Sequence, residues 1–247
     1  FGNLEDIKLS DGDIQLNLEN GIKVSSNFNS KINFNEKLLN KHFKYLNKNN
    51  DIFKSLKNLK ADLNNNLSIV LDNTYKVQDY NYSVSGKVNS ANFELSSPIK
   101  NDLISKEIKI IYFSNIKIKS TFNDKNINFN GQGKYSFNNL DFLNINFENN
   151  FQNQLYKFKL DFDFKDDLKL DLINYKKKKD NIANLTLDFE KIKNINKIND
   201  LIYKEGNNFI KINSLGFKKD KILSFKRIEV FTNNNEFLIK NDKKISI

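Results

Sequence analysis

The side chains that most often perform catalysis are few in this sequence. His42 is the only histidine and the chain has no cysteine, which excludes disulfides and soft metal sites. A metal site needs several ligands, and a nucleophilic site needs a base beside its nucleophile, yet no motif supplies either around His42. The sequence therefore predicts no catalytic residue, no metal site and no cofactor, and we do not expect an enzyme.

Two carboxylate pairs, Asp161 with Asp163 and Asp166 with Asp167, are close enough in sequence to suggest acid–base chemistry or cation binding. Asp161 and Asp163 alternate with apolar residues and share their polar face with lysines. That pattern is typical of a solvated charge ladder on a strand. Opposite charges across such a ladder contribute only about 0.2 to 1 kcal/mol per pair. We interpret both pairs as structural.

The segment Gly131-Gln132-Gly133 begins like a dinucleotide-binding fingerprint. Ser136 occupies the position of the third glycine, however, and no helix follows. Two glycines spaced two apart in a strand instead remove side chains from one face and allow another group to approach closely. We therefore expect a structural role for this segment.

The most basic point of the chain is a run of four lysines, and the net charge is +10. One interpretation is a solvated hairpin tip; the other is attraction to anionic lipid headgroups, about 1 kcal/mol per lysine near the surface. The residues predicted to face headgroups are Lys176, Lys177, Lys178 and Lys179. Nucleic acid is not expected, because the aromatic residues alternate on an apolar face and Arg227 is the only arginine.

Apolar residues recur at every second position over most of the chain, most clearly from 156 to 175. Because successive side chains of a strand point to opposite faces, this segment predicts an antiparallel hairpin with one apolar and one charged face. Its apolar positions, extended by a later strand of the same kind, are Tyr156, Phe158, Leu160, Phe162, Phe164, Leu168, Leu170, Leu172, Leu185, Leu187 and Phe189.

The fold predicted from this periodicity is mostly β, a long antiparallel meander of roughly 14 strands curled into a groove. A β-sandwich or barrel is the alternative, since either would also cover a one-sided apolar face. Between about 36 and 59 apolar residues recur at three and four positions, which predicts one helical insertion. Tyr175-Lys176 and Tyr203-Lys204 each stand at the end of an apolar run and precede an isoleucine by the same distance, which is a weak internal repeat.

Composition adds two expectations. The 247 residues are rich in Asn, Lys, Ile and Phe, lack Met and Trp, and contain one Pro, a bias typical of a coding sequence with high A+T content. We expect residues 1–247 to form one repetitive β domain, and we expect the chain to be a fragment of a longer protein. No run of 18 apolar residues that could span a membrane is present.

The C-terminal part carries short apolar segments separated by polar turns, and two glycine-lysine segments precede them. They are Ile173-Asn174-Tyr175-Lys176, Ala183-Asn184-Leu185-Thr186-Leu187-Asp188-Phe189, Leu201-Ile202-Tyr203-Lys204-Glu205-Gly206, Ile212-Asn213-Ser214-Leu215-Gly216-Phe217 and Ile228-Glu229-Val230, with Ser85-Gly86-Lys87-Val88 and Gly131-Gln132-Gly133-Lys134-Tyr135 upstream. Together these segments resemble the β module of the AsmA-like family of bacterial envelope proteins, including its large bridging members.

The resemblance implies a β-groove, apolar inside, that stands in the periplasm and is anchored to the inner membrane through a segment outside this chain. It implies transport of glycerophospholipid between the inner and outer membranes, or support of outer-membrane assembly. The implied partners are phospholipid acyl chains and the two membranes, and the apolar positions given above would line the groove. The alternative from the residues alone is a closed β-sandwich that acts as a binding or surface-interaction module.

Overall fold

The computed structural model describes residues 2–4, 6–19, 21–42, 55–101, 103–219 and 221–241. Strands account for nearly all of the regular structure in these ranges, which confirms the mostly-β prediction. By its internal contacts the chain divides into two compact units. The first comprises Phe1–Pro98 and Ile108–Phe142, and the second comprises Ile99–Glu107 and Leu143–Ile247.

Most of the described strands are joined by short turns that are rich in Asn and Asp. The first eight elements are β1 (Gly2–Leu4), β2 (Ile7–Asn17), β3 (Ile22–Asn35), α1 (Glu36–His42), β4 (Leu56–Leu71), β5 (Val77–Asn101), β6 (Ile104–Asn123) and β7 (Asn126–Ser136). The next are β8 (Leu143–Gln152), β9 (Leu155–Phe164), β10 (Leu168–Leu170), a 3-10 helix (Asp171–Ile173), β11 (Tyr175–Lys177) and β12 (Ala183–Ile192). The last five are β13 (Ile195–Glu205), β14 (Asn208–Lys218), β15 (Lys221–Ser224), β16 (Arg227–Phe231) and β17 (Glu236–Lys240).

The strands form an antiparallel meander in which hydrogen-bonded neighbours follow chain order. Two skips interrupt this order. Strand β9 pairs with β12, because β10 and β11 pair with each other in a separate two-stranded sheet, and β14 pairs with β16 as well as with the short β15. The large sheet is not closed into a barrel, and the described residues contain no second large sheet that could face it. The meander is therefore confirmed, and the sandwich or barrel alternative is wrong.

The helical insertion is shorter than predicted. Helix α1 begins after Asn35, whose side-chain oxygen accepts a hydrogen bond from the backbone N–H of Leu38 at 3.0 Å, as in an N-cap. Residues 43–54 of the predicted insertion lie outside the described residues. The prediction is wrong for Leu56 and Leu59, which belong to β4. Both residues pair with β5, and this ladder overrides the helical spacing of their side chains.

The first unit has its hydrophobic core where α1 packs on the sheet. Leu39 of the helix is only 2% exposed and clusters with Phe34, Leu56 and Ala91. Burial of one helical stripe against strand side chains explains why a seven-residue helix forms here, since a helix this short is not stable in water by itself. The helix thus covers one end of this unit's apolar face.

The second unit departs from the predicted hairpin over 156–175. Strand β9 pairs with β8 on one side and β12 on the other, not with the segment that follows it. That segment turns at residues 165–167 and forms β10, the 3-10 helix and β11. Period-two alternation indicates which side chains share a face, but it does not indicate which strands pair, so the predicted pairing was wrong.

Candidate functional site

The second unit carries a pair of apolar side-chain rows that cross seven neighbouring strands. Residues directly opposite each other in an antiparallel ladder share a face, so the register defines each row. Row 1 consists of Ile145, Phe162, Leu185, Tyr203, Ile210, Val230 and Phe237. Row 2 consists of Phe147, Leu160, Leu187, Leu201, Ile212, Ile228 and Ile239.

Both rows are continuous, and every member is apolar or aromatic. At about 4.8 Å between strands, seven strands give each row a length of about 29 Å. Phe158 of β9 opposite Phe189 of β12 adds a third apolar pair beside row 2, and Tyr156 packs edge-on against Phe189 with 6.3 Å between ring centroids. We refer to rows 1 and 2 with these residues as the apolar face.

Most of the apolar face is half-buried rather than enclosed. Leu160, Phe162, Leu185, Leu187 and Phe189 all retain partial solvent exposure. In the described part of this unit, the only regular elements outside the large sheet are the β10–β11 hairpin and its 3-10 helix. The sheet therefore presents a long hydrophobic surface over which these elements supply no complete second layer.

The register brings eight of the eleven predicted lining residues together on β9 and β12. These are Tyr156, Phe158, Leu160, Phe162 and Phe164 on β9, with Leu185, Leu187 and Phe189 on β12. Leu168 and Leu170 belong instead to β10, where they pack against Tyr175, Ala183 and Tyr203. Leu172 lies in the 3-10 helix and is fully exposed, so its predicted place in the lining is wrong. The cause is the local turn, which ends the alternation after Leu170.

The opposite face of the same strands is polar, as predicted. Asn184 donates hydrogen bonds to Asp161 at 2.7 Å and to Asp163 at 3.3 Å, and Asn144 donates to Asp163 at 2.7 Å. Lys197 and Glu190 form an ion pair at 3.2 Å. Asp161 and Asp163 thus accept hydrogen bonds from neighbouring amides. Among the described residues, no group of three or more metal-ligating side chains comes together.

A buried polar network closes one end of the apolar face. The hydroxyl groups of Tyr175 and Tyr203 lie 2.9 Å apart, and Tyr175 donates to Glu205 at 2.8 Å. Asn208 donates to the same carboxylate oxygen at 2.9 Å, and Asn181 donates to the other oxygen at 2.6 Å. The carboxylate therefore has partners on both oxygens, which is what a buried charge requires. The network fastens β11 to β13 and β14.

Burial and hydrogen bonding together shift the pKa values of this network. Burial alone would raise the pKa of Glu205, but hydrogen bonds from Asn181, Tyr175 and Asn208 outweigh it and hold the pKa below its ordinary value. Burial raises the pKa of Tyr203 to about 12 and raises that of Tyr175 further. At neutral pH the network thus holds one carboxylate and two neutral phenols, an arrangement that favours rigidity over proton transfer.

Lys177 was predicted to face headgroups, and this prediction is wrong, because its side chain is 0% exposed. Its ammonium donates to the backbone carbonyls of Lys165 and Asp166, each at 2.7 Å, and to that of Lys178 at 3.1 Å. It also lies 5.3 Å from the ring centroid of Phe164. Burial lowers the pKa of this amine. All three donors are used, so Lys177 closes the turn between β9 and β10.

The other residues that the sequence singled out are the remaining three lysines of the basic run, His42 and Gly133. Lys176, Lys178 and Lys179 are exposed, so headgroup contact stays a prediction for these three. His42 is the last residue of α1. Gly133 lies in β7, where a Cβ would come within 2.5 Å of the carbonyl oxygen of Asn115 and 2.7 Å of the Cα of Ile116. The close approach expected at this glycine is therefore confirmed, and the approaching group is strand β6.

Sequence reasoning missed the Tyr175–Tyr203–Glu205 network. One signal was present, because the repeat of Tyr-Lys at 175 and 203 marks the two tyrosines that contact each other. The partner of these tyrosines was not recognisable, since Glu205 follows Tyr203 by two residues in an ordinary alternating strand. Burial of a lone carboxylate depends on neighbouring strands, which periodicity does not specify.

In comparisons with known proteins, the chain matched no family model, no curated protein and no solved structure. Within the residues that the structure describes, no helix is long and apolar enough to cross a membrane.

Proposed function

We propose that this chain is a segment of a lipid carrier whose apolar face holds the acyl chains of glycerophospholipid. The observation that carries the proposal is the pair of unbroken apolar rows across seven strands, partly exposed along most of their length. Exposed apolar area of this continuity is typical of surfaces that bind another apolar surface. Rows of about 29 Å exceed what one short ligand needs and suit extended hydrocarbon chains.

The chemistry of the two faces supports the same function. A lipid chain offers no hydrogen-bonding group along its length, and the apolar face likewise offers hydrocarbon side chains at nearly every position of β9 and β12 that points to it. The opposite face keeps amides and charges in water. The basic run contributes the exposed Lys176, Lys178 and Lys179, which suit anionic headgroups.

The biological setting belongs to this proposal and derives from the AsmA-like resemblance. On that reading the chain stands in the periplasm, is held to the inner membrane by a segment outside it, and carries phospholipid toward the outer membrane or supports outer-membrane assembly. Acyl chains are its ligand, and chemistry on the lipid is not required of it.

A carboxylate on the apolar face should reduce lipid binding, because hydrocarbon does not solvate a charge. We expect Leu160→Asp and Phe162→Asp to lower the phospholipid recovered per chain, by at least about tenfold for the two combined. The measurement is quantitative mass spectrometry of organic extracts from chain purified without detergent.

The matched control is Lys204→Asp. Lys204 follows Tyr203 of row 1 in β13, so the new carboxylate would lie on the opposite face of the strand. Lys204→Asp should retain the phospholipid content of the parent chain. Undiminished lipid in a folded Leu160→Asp/Phe162→Asp chain would contradict the proposed lining, as would a parent chain that carries no lipid.

A further inference from the structure

The polar face of the first unit carries two registered rows of amides and hydroxyls. Asn27, Asn66 and Ser83 lie opposite one another on β3, β4 and β5. Two residues along each strand, Asn29, Asn64 and Ser85 form a second row on the same face. Residues two apart on a strand share a face, so the two rows are parallel and lie about 7 Å apart.

Residues of both rows line a cavity of about 430 Å³. The cavity is also lined by the residues between the rows, Phe28, Asn65, Val84 and Ser120. Lys119 and Thr121 of β6, the strand next to β5 in the sheet, line the same cavity. The trough therefore crosses four strands, about 14 Å, and its volume lies in the range typical of small-molecule sites, about 300 to 1,000 Å³.

The trough amides are available to a ligand. Within the described part of the chain, the side chains of Asn64, Asn66, Ser83 and Ser85 make no hydrogen bond to protein. Asn65, on the other face of the same strand, is 6% exposed and fully engaged. It donates to the Ser30 hydroxyl at 2.9 Å and accepts from the Tyr82 hydroxyl at 2.6 Å. Hence β4 uses its inward asparagine for stability and leaves two outward ones free.

The chemistry of the trough selects for a neutral ligand rich in hydroxyl groups. Each asparagine offers a donor and an acceptor, and each serine hydroxyl does both. The lining carries one cation, Lys119, and one carboxylate, Asp11, so it has no net charge to attract an ion. Asp11 also accepts a hydrogen bond from Asn29 at 3.1 Å, which fixes one amide of the second row.

We propose that this trough is a binding site for a neutral oligosaccharide. The sugar lies across β3 to β6, and its hydroxyls exchange hydrogen bonds with the two amide and hydroxyl rows. The site uses residues of the first unit only and does not depend on lipid binding by the second. It would give the carrier a separate point of attachment to a carbohydrate.

The test is isothermal titration of the full chain with chitohexaose, cellohexaose and maltohexaose, followed by the double variant Asn64→Ala/Asn66→Ala. We expect at least one of the three sugars to bind, and we expect the double variant to weaken that binding by about tenfold or more, because two hydrogen-bonding side chains are lost. Ser83→Ala is a milder variant, expected to weaken binding by a few-fold, should the double variant not fold.

The control is Asn144→Ala/Asn146→Ala, which removes two exposed asparagines with the same spacing from β8 in the second unit. It should leave sugar binding unchanged. Three results would overturn the proposal: no binding of any of the three sugars by folded chain, equal binding by the trough variants, or equal loss in the β8 control. Lipid recovered from the same preparations reports on the carrier function separately.

Discussion

At the scale of single residues, Lys177 illustrates how burial changes the role of a lysine. Its neighbours Lys176, Lys178 and Lys179 remain in water, whereas its own ammonium has three carbonyl acceptors and an aromatic ring around it. Four consecutive lysines thus have two different environments, water for three of them and the protein interior for Lys177. The hydrogen bonds of Lys177 connect the end of β9 to β11 and so fix where the apolar strand stops.

Replacement of Lys177 by Met should destabilise the chain by about 3 kcal/mol. Met has a similar length but no donors, so the carbonyls of Lys165, Asp166 and Lys178 would be buried without their partner. The measurement is the free energy of unfolding by urea denaturation.

Lys176→Met is the matched control for that measurement. Lys176 is exposed and adjacent, so its loss should change the free energy of unfolding by no more than about 0.5 kcal/mol. Equal effects of the two substitutions would show that the buried ammonium contributes no special stability.

At the scale of elements, β6 and β7 approach each other unusually closely at Gly133. Strand β6 has an irregularity between Ser114 and Lys117, where Asn115 has a positive φ of 54°. The irregularity moves the backbone of β6 toward β7, and only a residue without Cβ leaves room for it. The glycine that resembled part of a nucleotide fingerprint is thus a packing requirement.

Gly133→Ala should destabilise the chain by about 1 to 3 kcal/mol, because the new methyl group would overlap backbone atoms of Asn115 and Ile116. Gly2→Ala is the control, since a Cβ at Gly2 meets no atom within 4 Å. Thermal unfolding monitored by circular dichroism would compare the two. A Gly133→Ala chain as stable as the control would mean that the strands separate without cost.

The sequence predicts which side chains of a single strand share a face, because that depends only on the spacing of residues within the strand. In β7 the spacing of two residues within one strand places Ile127, Phe129, Gly131, Gly133 and Tyr135 on one face. Strand pairing is not local. Leu168 to Leu172 continue the alternation of β9 in sequence, yet Asn174 adopts a left-handed conformation after the 3-10 helix and returns the chain to pair with itself.

For the apolar face too, the sequence predicts the apolar side of each strand but not how the strands assemble. Alternation identified Leu160, Phe162, Leu185 and Leu187 because each strand marks its own apolar side. Their assembly into rows that include Ile212, Ile228 and Ile239 required the register of five further ladders. The burial of Lys177 and Glu205 had no signal in periodicity, since polar residues at these positions are normally solvated.

At the scale of the whole molecule, the two units use the same meander for different surfaces. In the second unit apolar rows cross seven strands without a polar residue apart from the Tyr203 hydroxyl. In the first unit the inward face is interrupted by Ser30, Asn65 and the Tyr82 hydroxyl, and one end is covered by α1. A continuous apolar surface is therefore a property of the second unit.

Photo-cross-linking at two adjacent residues of β12 would test the lipid-carrier account most directly. Leu187 belongs to row 2, and Thr186 points to the opposite, polar face. A photoreactive amino acid would replace each in turn, and the full chain would be irradiated with phospholipid vesicles and analysed for lipid adducts by mass spectrometry. The account predicts adducts at position 187 and essentially none at 186. Adducts at neither position, or equally at both, would contradict it.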